Sequence, residues 1–241
     1  MLPRSVGDFL RQAAALKPDA PLLEFFQQGE GYSYAEIDAL SNSLADSLCG
    51  LGVRKGTHVA LMIPNSAPFV ISWFALAKLG AVMVPVNFNY TAGELAYVLQ
   101  DSDSQFLVIE AELQGVLDAI SPEDRPFPDE RVVVVGEPVA PRRGYAALVE
   151  AGDAAFAPPD DVVPTDLLSI QYTSGTTGMP KGCMQTHRFW LIASLVAARA
   201  HGGRVENILV TFPLFYLDPQ LQVLTAIHAQ GCLLYTSPSP R

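Results

Sequence analysis

The chain of 241 residues is predicted to be an α/β protein with largely parallel sheets flanked by helices. Helical and strand periods alternate along it, and several strands are unbroken apolar runs, as burial on both faces of a parallel sheet requires. A composition of 49% hydrophobic and 17% charged residues supplies a sizeable core and excludes a disordered segment.

Each element has a local reason. Ser5 with Asp8 predicts a capped helix over 6–17. Apolar stretches at 22–26 and 31–33, joined through Gln28-Gly29, read as a β-hairpin. Ser33 and Glu36 form a capping box for a second helix, whose face Ile37, Leu40, Leu44, Leu48 and Leu51 keeps helical spacing until Gly52 stops it. A strand over 58–63, a helix over 66–79 and a strand over 81–86 follow. Thr91 and Glu94 open a third capped helix that reaches Asp101, and 105–109 and 131–135 are buried-strand runs. Residues 151–164, rich in Ala, Asp and Pro, form the best linker candidate. Beyond it lie a strand over 167–173, a Gly/Thr/Ser loop, a helix over 186–200, a strand over 207–210 and a helix over 220–230.

The charge is uneven. The chain carries −10 overall, which argues against a nucleic-acid-coating surface. Residues 101–166 hold 15 acidic and 4 basic side chains, whereas 167–241 hold 2 and 5, so an anionic ligand is expected in the last third. Cys49, Cys183 and Cys232 are odd in number and widely spaced, which excludes a disulfide framework or a paired-cysteine zinc site and makes a reducing, cytoplasmic setting the expectation. The first residues lack a long apolar stretch of signal-peptide type. The window 68–86 is nearly long enough to span a bilayer, but Lys78, Gly80 and Pro85 divide it into a helix, a turn and a strand, so no transmembrane segment is expected.

Chemistry concentrates in YTSGTTGMPKGCMQTH, from Tyr172 to His187. Thr173–Met179 holds two glycines and four hydroxyl side chains. Glycines let a backbone approach a ligand, successive N–H groups form an anion-binding concavity, and hydroxyls add donors. Lys181 adds a mobile positive charge. With a strand entering and a helix expected to leave, the loop should lie at a strand's carboxyl end, where α/β sheets bind ligands. It is not the GxxxxGK[ST] loop of nucleotide hydrolases, because Pro180 occupies the second glycine's position, and Gly175 and Gly178 do not fit GxGxxG.

YTSGTTGMPKG closely resembles the phosphate-binding signature of the adenylate-forming (AMP-binding) superfamily, which includes acyl-CoA and aryl-CoA ligases, luciferases and peptide-synthetase adenylation domains. Tyr34-Ala35-Glu36-Ile37 and the block from Leu76 to Asn87 are similar to two upstream family blocks in order and spacing. The resemblance covers about residues 1–231 and implies an incomplete N-terminal domain of the adenylate-forming fold. It implies that a carboxylate attacks the α-phosphate of ATP, with Mg²⁺ on the phosphates, to give an acyl-adenylate that passes to a thiol, usually coenzyme A. The implied partners are therefore ATP, a small-molecule carboxylate and coenzyme A. Ser174, Gly175, Thr176, Thr177 and Gly178 would wrap the β- and γ-phosphates, Lys181 would support the leaving pyrophosphate, and Thr173 is the candidate magnesium contact. As plain sequence, Thr173 reads as the last residue of a strand.

Phe212, Phe215 and Tyr216 lie in TFPLFY, where the family segment often ends in an aromatic residue and His. Tyr216 in place of His resembles carnitine- or crotonobetaine-type CoA ligases, and Phe215 and Tyr216 become candidates for lining the acyl pocket. As plain sequence, Phe212 and Phe215 read as core aromatics. His187 reads as a capping or packing residue, and nothing marks Cys183 as a nucleophile.

Family members are longer than this chain. The later blocks that hold ribose, form the hinge and carry the catalytic lysine on a small C-terminal domain have no counterpart here. Residues 232–241 resemble translated sequencing adapter and are expected to be a non-native tail. CLL could open a strand that TSPSPR could not continue. The resemblance thus implies an acyl-CoA ligase, with a module loading a carrier-protein thiol and an inert nucleotide-binding fragment as alternatives. The 241 residues alone are expected not to complete adenylation.

Overall fold

A computed structural model describes residues 3–173, 180–202 and 205–236. In chain order, α1 (Val6–Leu16) precedes the hairpin of β1 (Pro21–Phe25) and β2 (Glu30–Ser33). Then α2 (Tyr34–Gly50), β3 (His58–Met62), α3 (Ala67–Leu79), β4 (Val82–Pro85), α4 (Ala92–Asp101) and β5 (Phe106–Glu110) alternate. A short α5 (Gln114–Asp118) leads to β6 (Val132–Val135), β7 (Arg143–Gly144) and α6 (Tyr145–Ala151). The remainder runs through β8 (Leu167–Thr173), β9 (Lys181–Thr186), α7 (His187–Ala200), β10 (Asn207–Val210), α8 (Leu217–Ala229) and β11 (Cys232–Tyr235).

The strands form two sheets. The larger has the order β7-β6-β5-β3-β4-β8-β9 and is parallel except for β9, which runs antiparallel to β8 at the edge. The smaller has the order β10-β11-β1-β2, with β11 parallel to both neighbours and β2 closing the predicted hairpin. Mostly parallel sheets flanked by helices are therefore the architecture, as the alternation predicts.

The caps follow from local chemistry. Ser5 Oγ accepts the Asp8 N–H at 3.0 Å. Both capping boxes are closed, with Glu36 accepting the Ser33 N–H at 2.7 Å and Glu94 accepting the Thr91 N–H at 2.8 Å. Gly80, at φ 67°, ends α3 in the left-handed conformation that a side chain resists.

Strand alternation divides the core. Val59 and Leu61 on β3 join β1, α1, α2, α3, α7 and α8 in one apolar cluster between the sheets. Ala60 and Met62 face the other way, into a cluster roofed by Leu95, Val98 and Leu99 of α4 and Leu117 of α5. In α3, twelve of thirteen residues are buried, including Trp73, which meets the Trp190 ring edge-on at 5.4 Å. Lys78 is buried too. Its ammonium shares three N–H donors among Asp38 Oδ1 at 2.6 Å, the Asp38 carbonyl at 2.8 Å, Ser41 Oγ at 2.8 Å and Asn42 Oδ1 at 2.6 Å. Among the described residues no helix is long and apolar enough to cross a membrane.

The stretch 151–164 is packed, unlike a free linker. Asn42 donates to the Ala154 carbonyl at 3.0 Å, the Asp153 N–H to Asp46 at 3.0 Å, and Val162 is buried. Gly152 lies so close to α2 that an added Cβ would fall 1.9 Å from the Ser43 carbonyl oxygen. The strand that follows, β8, enters the same sheet as β3 and β4, so the change in charge at this stretch marks no boundary between sheets.

Candidate functional site

The glycine-rich loop joins β8 to β9. Its predicted phosphate ligands Ser174, Gly175, Thr176, Thr177 and Gly178 lie outside the described residues. Its two ends are placed, since Thr173 and Lys181 face each other as the last register pair of the hairpin, both exposed. One expectation is corrected here: a strand leaves the loop, and the helix begins only at His187. KGCMQT lacks an apolar run, but pairing with β8 from Lys181 to Thr186 satisfies its backbone, and Thr186 then caps α7 by accepting the Phe189 N–H at 3.2 Å.

Both stems of the hairpin are tied to the last turns of α4. Tyr172 Oη donates to Asp101 Oδ2 at 2.6 Å. On the returning side, Tyr97 Oη donates to the Pro180 carbonyl at 3.1 Å. Burial, reinforced by the Asp101 carboxylate, pushes the Tyr172 hydroxyl far above its ordinary pKa, so it remains a donor. Gly182 makes room for Ile170 and the Tyr172 ring, because a Cβ there would stand 2.7 Å from Ile170 Cγ2 and 3.2 Å from Tyr172 Cζ.

Further down β8, Gln171 shares the strand face of Thr173. Its amide donates to Gln220 Oε1 at 2.7 Å, and Gln220 Nε2 donates to the Leu214 carbonyl at 2.8 Å. Asn65, just beyond β3, donates to the Phe212 carbonyl at 3.2 Å and accepts the Leu214 N–H at 2.5 Å. Two buried or half-buried amides thus hold the backbone of the segment carrying Phe215 and Tyr216. Phe215 is buried and meets Phe88, from the loop after β4, edge-on at 5.3 Å. The Tyr216 ring lies 4.3 Å from Phe215, is half exposed, and belongs to the N-cap residue of α8. Phe212 is mostly exposed, so the reading of it as a core aromatic is corrected. Loops beyond β3, β4 and β10 are thereby joined to one another, and Gln171 joins them to β8.

His187 is fully buried. Its Nδ1 accepts the Val6 N–H at 3.1 Å, which leaves the proton on Nε2, and burial pushes its pKa down to about 4 against the pull of Asp166. A neutral ring fixed in this way packs α1 against α7. Cys183 is exposed on β9. Among the described residues no group of three or more His, Cys, Asp or Glu is placed to hold a metal. A cavity of about 440 Å³ between α1, α7 and α8, lined by Phe9, Leu16, Lys17, Arg199 and His228, shares no residue with the hairpin or the aromatic cluster.

Asn65, Phe88, Tyr97, Asp101 and Gln220 escaped the sequence reading. The run Pro64-Asn65-Ser66 signals a turn, and nothing in it shows that the Asn65 amide meets a backbone 149 residues away.

Comparison with known proteins places this geometry among relatives. The model of the family described as AMP-binding enzyme matches residues 10–241. A long-chain-fatty-acid–CoA ligase of Mycobacterium tuberculosis is 34% identical over 215 residues, covering 89% of this chain and 41% of the relative. A crotonobetaine/carnitine–CoA ligase of Salmonella arizonae is 32% identical over 206 residues, covering 83% and 39%. A solved long-chain-fatty-acid–CoA ligase from Archaeoglobus fulgidus superposes with a TM-score of 0.87 at 27% identity, over 99% of this chain and 48% of that one. The N-terminal domain of a Mycobacterium tuberculosis protein, FACL13, gives 0.82 at 29% identity, over 98% and 58%. The chain spans about two fifths of the length of the curated relatives it matches.

Proposed function

The chain belongs to the AMP-binding enzyme family, and from that premise we propose that it is the phosphate-binding portion of an ATP-dependent acyl-CoA ligase. The observation that carries the proposal is the glycine- and hydroxyl-rich loop between Thr173 and Lys181, at the carboxyl end of a parallel strand. The reaction has two steps. A carboxylate oxygen attacks the α-phosphorus of ATP while the bond to pyrophosphate breaks, giving an acyl-adenylate. A coenzyme A sulfur then attacks the acyl carbonyl and AMP leaves. Ser174, Gly175, Thr176, Thr177 and Gly178 hold the β- and γ-phosphates, and Lys181 neutralises charge growing on the departing pyrophosphate. Phe215 and Tyr216 flank the acyl group, with Phe88 behind them.

Magnesium fits this site as an ion carried by the nucleotide. Thr173 offers an exposed hydroxyl beside the loop, and a small hard cation takes most of its ligands from phosphate and water. When bound, the ion would neutralise phosphate charge. The three free cysteines accord with a cytoplasmic enzyme. The acyl group is a fatty or carnitine-like acid by likeness to the two ligases above.

Pyrophosphate–ATP exchange tests the reading, with long-chain fatty, carnitine-type and aryl acids as the panel. Exchange is expected from these residues in a chain of the relatives' full length, and is expected to vanish for residues 1–241 alone. Lys181→Ala should lower the full-length rate about a hundredfold, as removal of one preorganised charge stabiliser does. Unchanged exchange in that variant would remove Lys181 from the mechanism.

A further inference from the structure

We propose that Asn65 and Gln220 are positioning residues for the acyl group, because they fix the backbone that presents Phe215 and Tyr216. The proposal rests on the reading of those two rings as the wall of the acyl pocket and assigns that wall two tethers.

The segment from Phe212 to Tyr216 lies between β10 and α8, in neither a strand nor a helix. With no sheet partner, its backbone must find hydrogen bonds elsewhere. Pro213 has no N–H, and its carbonyl accepts the Tyr216 N–H at 3.1 Å. Asn65 uses both ends of its amide, donating to the Phe212 carbonyl at 3.2 Å and accepting the Leu214 N–H at 2.5 Å. It brackets Pro213 as a neighbouring strand would. Gln220 is fully buried near the start of α8 and donates to the Leu214 carbonyl at 2.8 Å. Its Oε1 accepts from the buried Gln171, two residues before β8 ends, at 2.7 Å. Leu214 is therefore held at its N–H from the turn after β3, at its carbonyl from α8, and by its own buried side chain.

Leu214 is the fixed point from which the two rings project. Phe215 packs on Phe88, but Tyr216 is half exposed, so packing constrains its ring weakly and its direction is inherited from the backbone before it. The tethers start from β3 and β8 of the larger sheet, whereas the segment follows β10 of the smaller one. The pocket wall is thereby referred to the strand that ends at Thr173. Alignment of a carboxylate for attack depends on such placement.

Three substitutions separate positioning from plain stability. Asn65→Ala removes both bonds to the segment. Asn65→Asp keeps an acceptor for the Leu214 N–H and loses the donor to Phe212. Gln220→Met keeps most of the volume and breaks the link between β8 and Leu214. Asn65 is only half buried, so its variants remain readable if Gln220→Met fails to fold.

The experiment measures pyrophosphate–ATP exchange in the full-length enzyme, since residues 1–241 alone are expected not to catalyse it. The substrate is whichever long-chain fatty, carnitine-type or aryl acid turns over fastest. N65A and Q220M should each raise KM for the acid about fivefold, the worth of one ordinary hydrogen bond, with KM for ATP and kcat unchanged. N65D should fall between N65A and wild type. Amide hydrogen exchange at Leu214, read in the same enzyme, should quicken in N65A, and unchanged protection there overturns the tether. F215A and Y216A test the wall itself. If neither raises KM for the acid, the pocket reading fails and takes the proposal with it. If they raise it while N65A and Q220M do not, the reading stands and the positioning role is overturned. A fall in kcat alone, which loss of folded enzyme would give, overturns it too, as does an equal rise in KM for ATP.

Discussion

Two helices of similar length, α3 and α7, share a tryptophan contact and differ in everything around it. Twelve of the thirteen residues of α3 are buried, because α1, α2, β3 and β4 pack on it and Trp190 of α7 meets Trp73. Only five of the fourteen in α7 are buried, and Phe189, Ile192 and Val196 stand exposed at 42%, 39% and 60%. Other segments late in the chain share its character, with Met184 on β9 at 73%, Leu209 on β10 at 62% and Phe212 at 64% exposed. The same chemistry of apolar periodicity thus yields a closed interior in one region and a one-sided layer in the other. Tyr216, at the start of α8, stands half exposed, whereas Phe215 beside it is buried.

The comparison can be broken at its strongest point first. Trp73→Ala removes a fully buried ring and should cost about 3–5 kcal/mol in urea unfolding. A loss under 1 kcal/mol would mean that the interior is not closed as described.

Lys78, in the last turn of α3, sharpens the contrast through pH. Burial outweighs the attraction of Asp38 and pulls its pKa down to about 8 from 10.5. The unfolded chain therefore binds more protons between those values, and the contribution of Lys78 to stability grows as pH rises from 8 to 10.5. It is lost as pH falls through 8. Wild type should gain up to about 1.4 kcal/mol per pH unit over Lys78→Met in that window. Parallel stability curves for the two proteins would contradict the desolvated cage.

The smallest effect belongs to α7. Phe189→Ala should cost under about 1 kcal/mol in the 241-residue chain, because much of that ring already stands in water. A cost matching that of Trp73→Ala would erase the distinction between the two helices.

What was legible in the sequence was local. The boxes at Ser33–Glu36 and Thr91–Glu94 need only four residues each to be read, and both are closed in the structure. The strand at 167–173 and that at 207–210 match their predicted bounds, because both bounds coincide with changes of composition. β9 was not legible, since Gly182, Cys183 and Met184 owe their strand to pairing with β8 and to no pattern of their own. The same holds for β7, two residues long and attached to the outer edge of β6. Around the candidate site, the glycine-rich loop could be read as a ligand-binding element from its own residues. The amides of Asn65 and Gln220 could not, because each acts on a backbone brought near only by the complete fold.

The pairing of β8 with β4 also bears on how the molecule is made. β4 needs β8 on its outer edge, and the matching residues Met83 and Ser169 are 86 positions apart. At ribosomal speeds of about 5–20 residues per second, that edge stays bare for roughly 4–17 s after β4 emerges. An unpaired, wholly apolar strand is a template for association between nascent chains. Pro85, which lacks an N–H, shortens the bare ladder at its end. Until Leu167–Thr173 has left the ribosome, β4 lacks the strand that completes its outer edge.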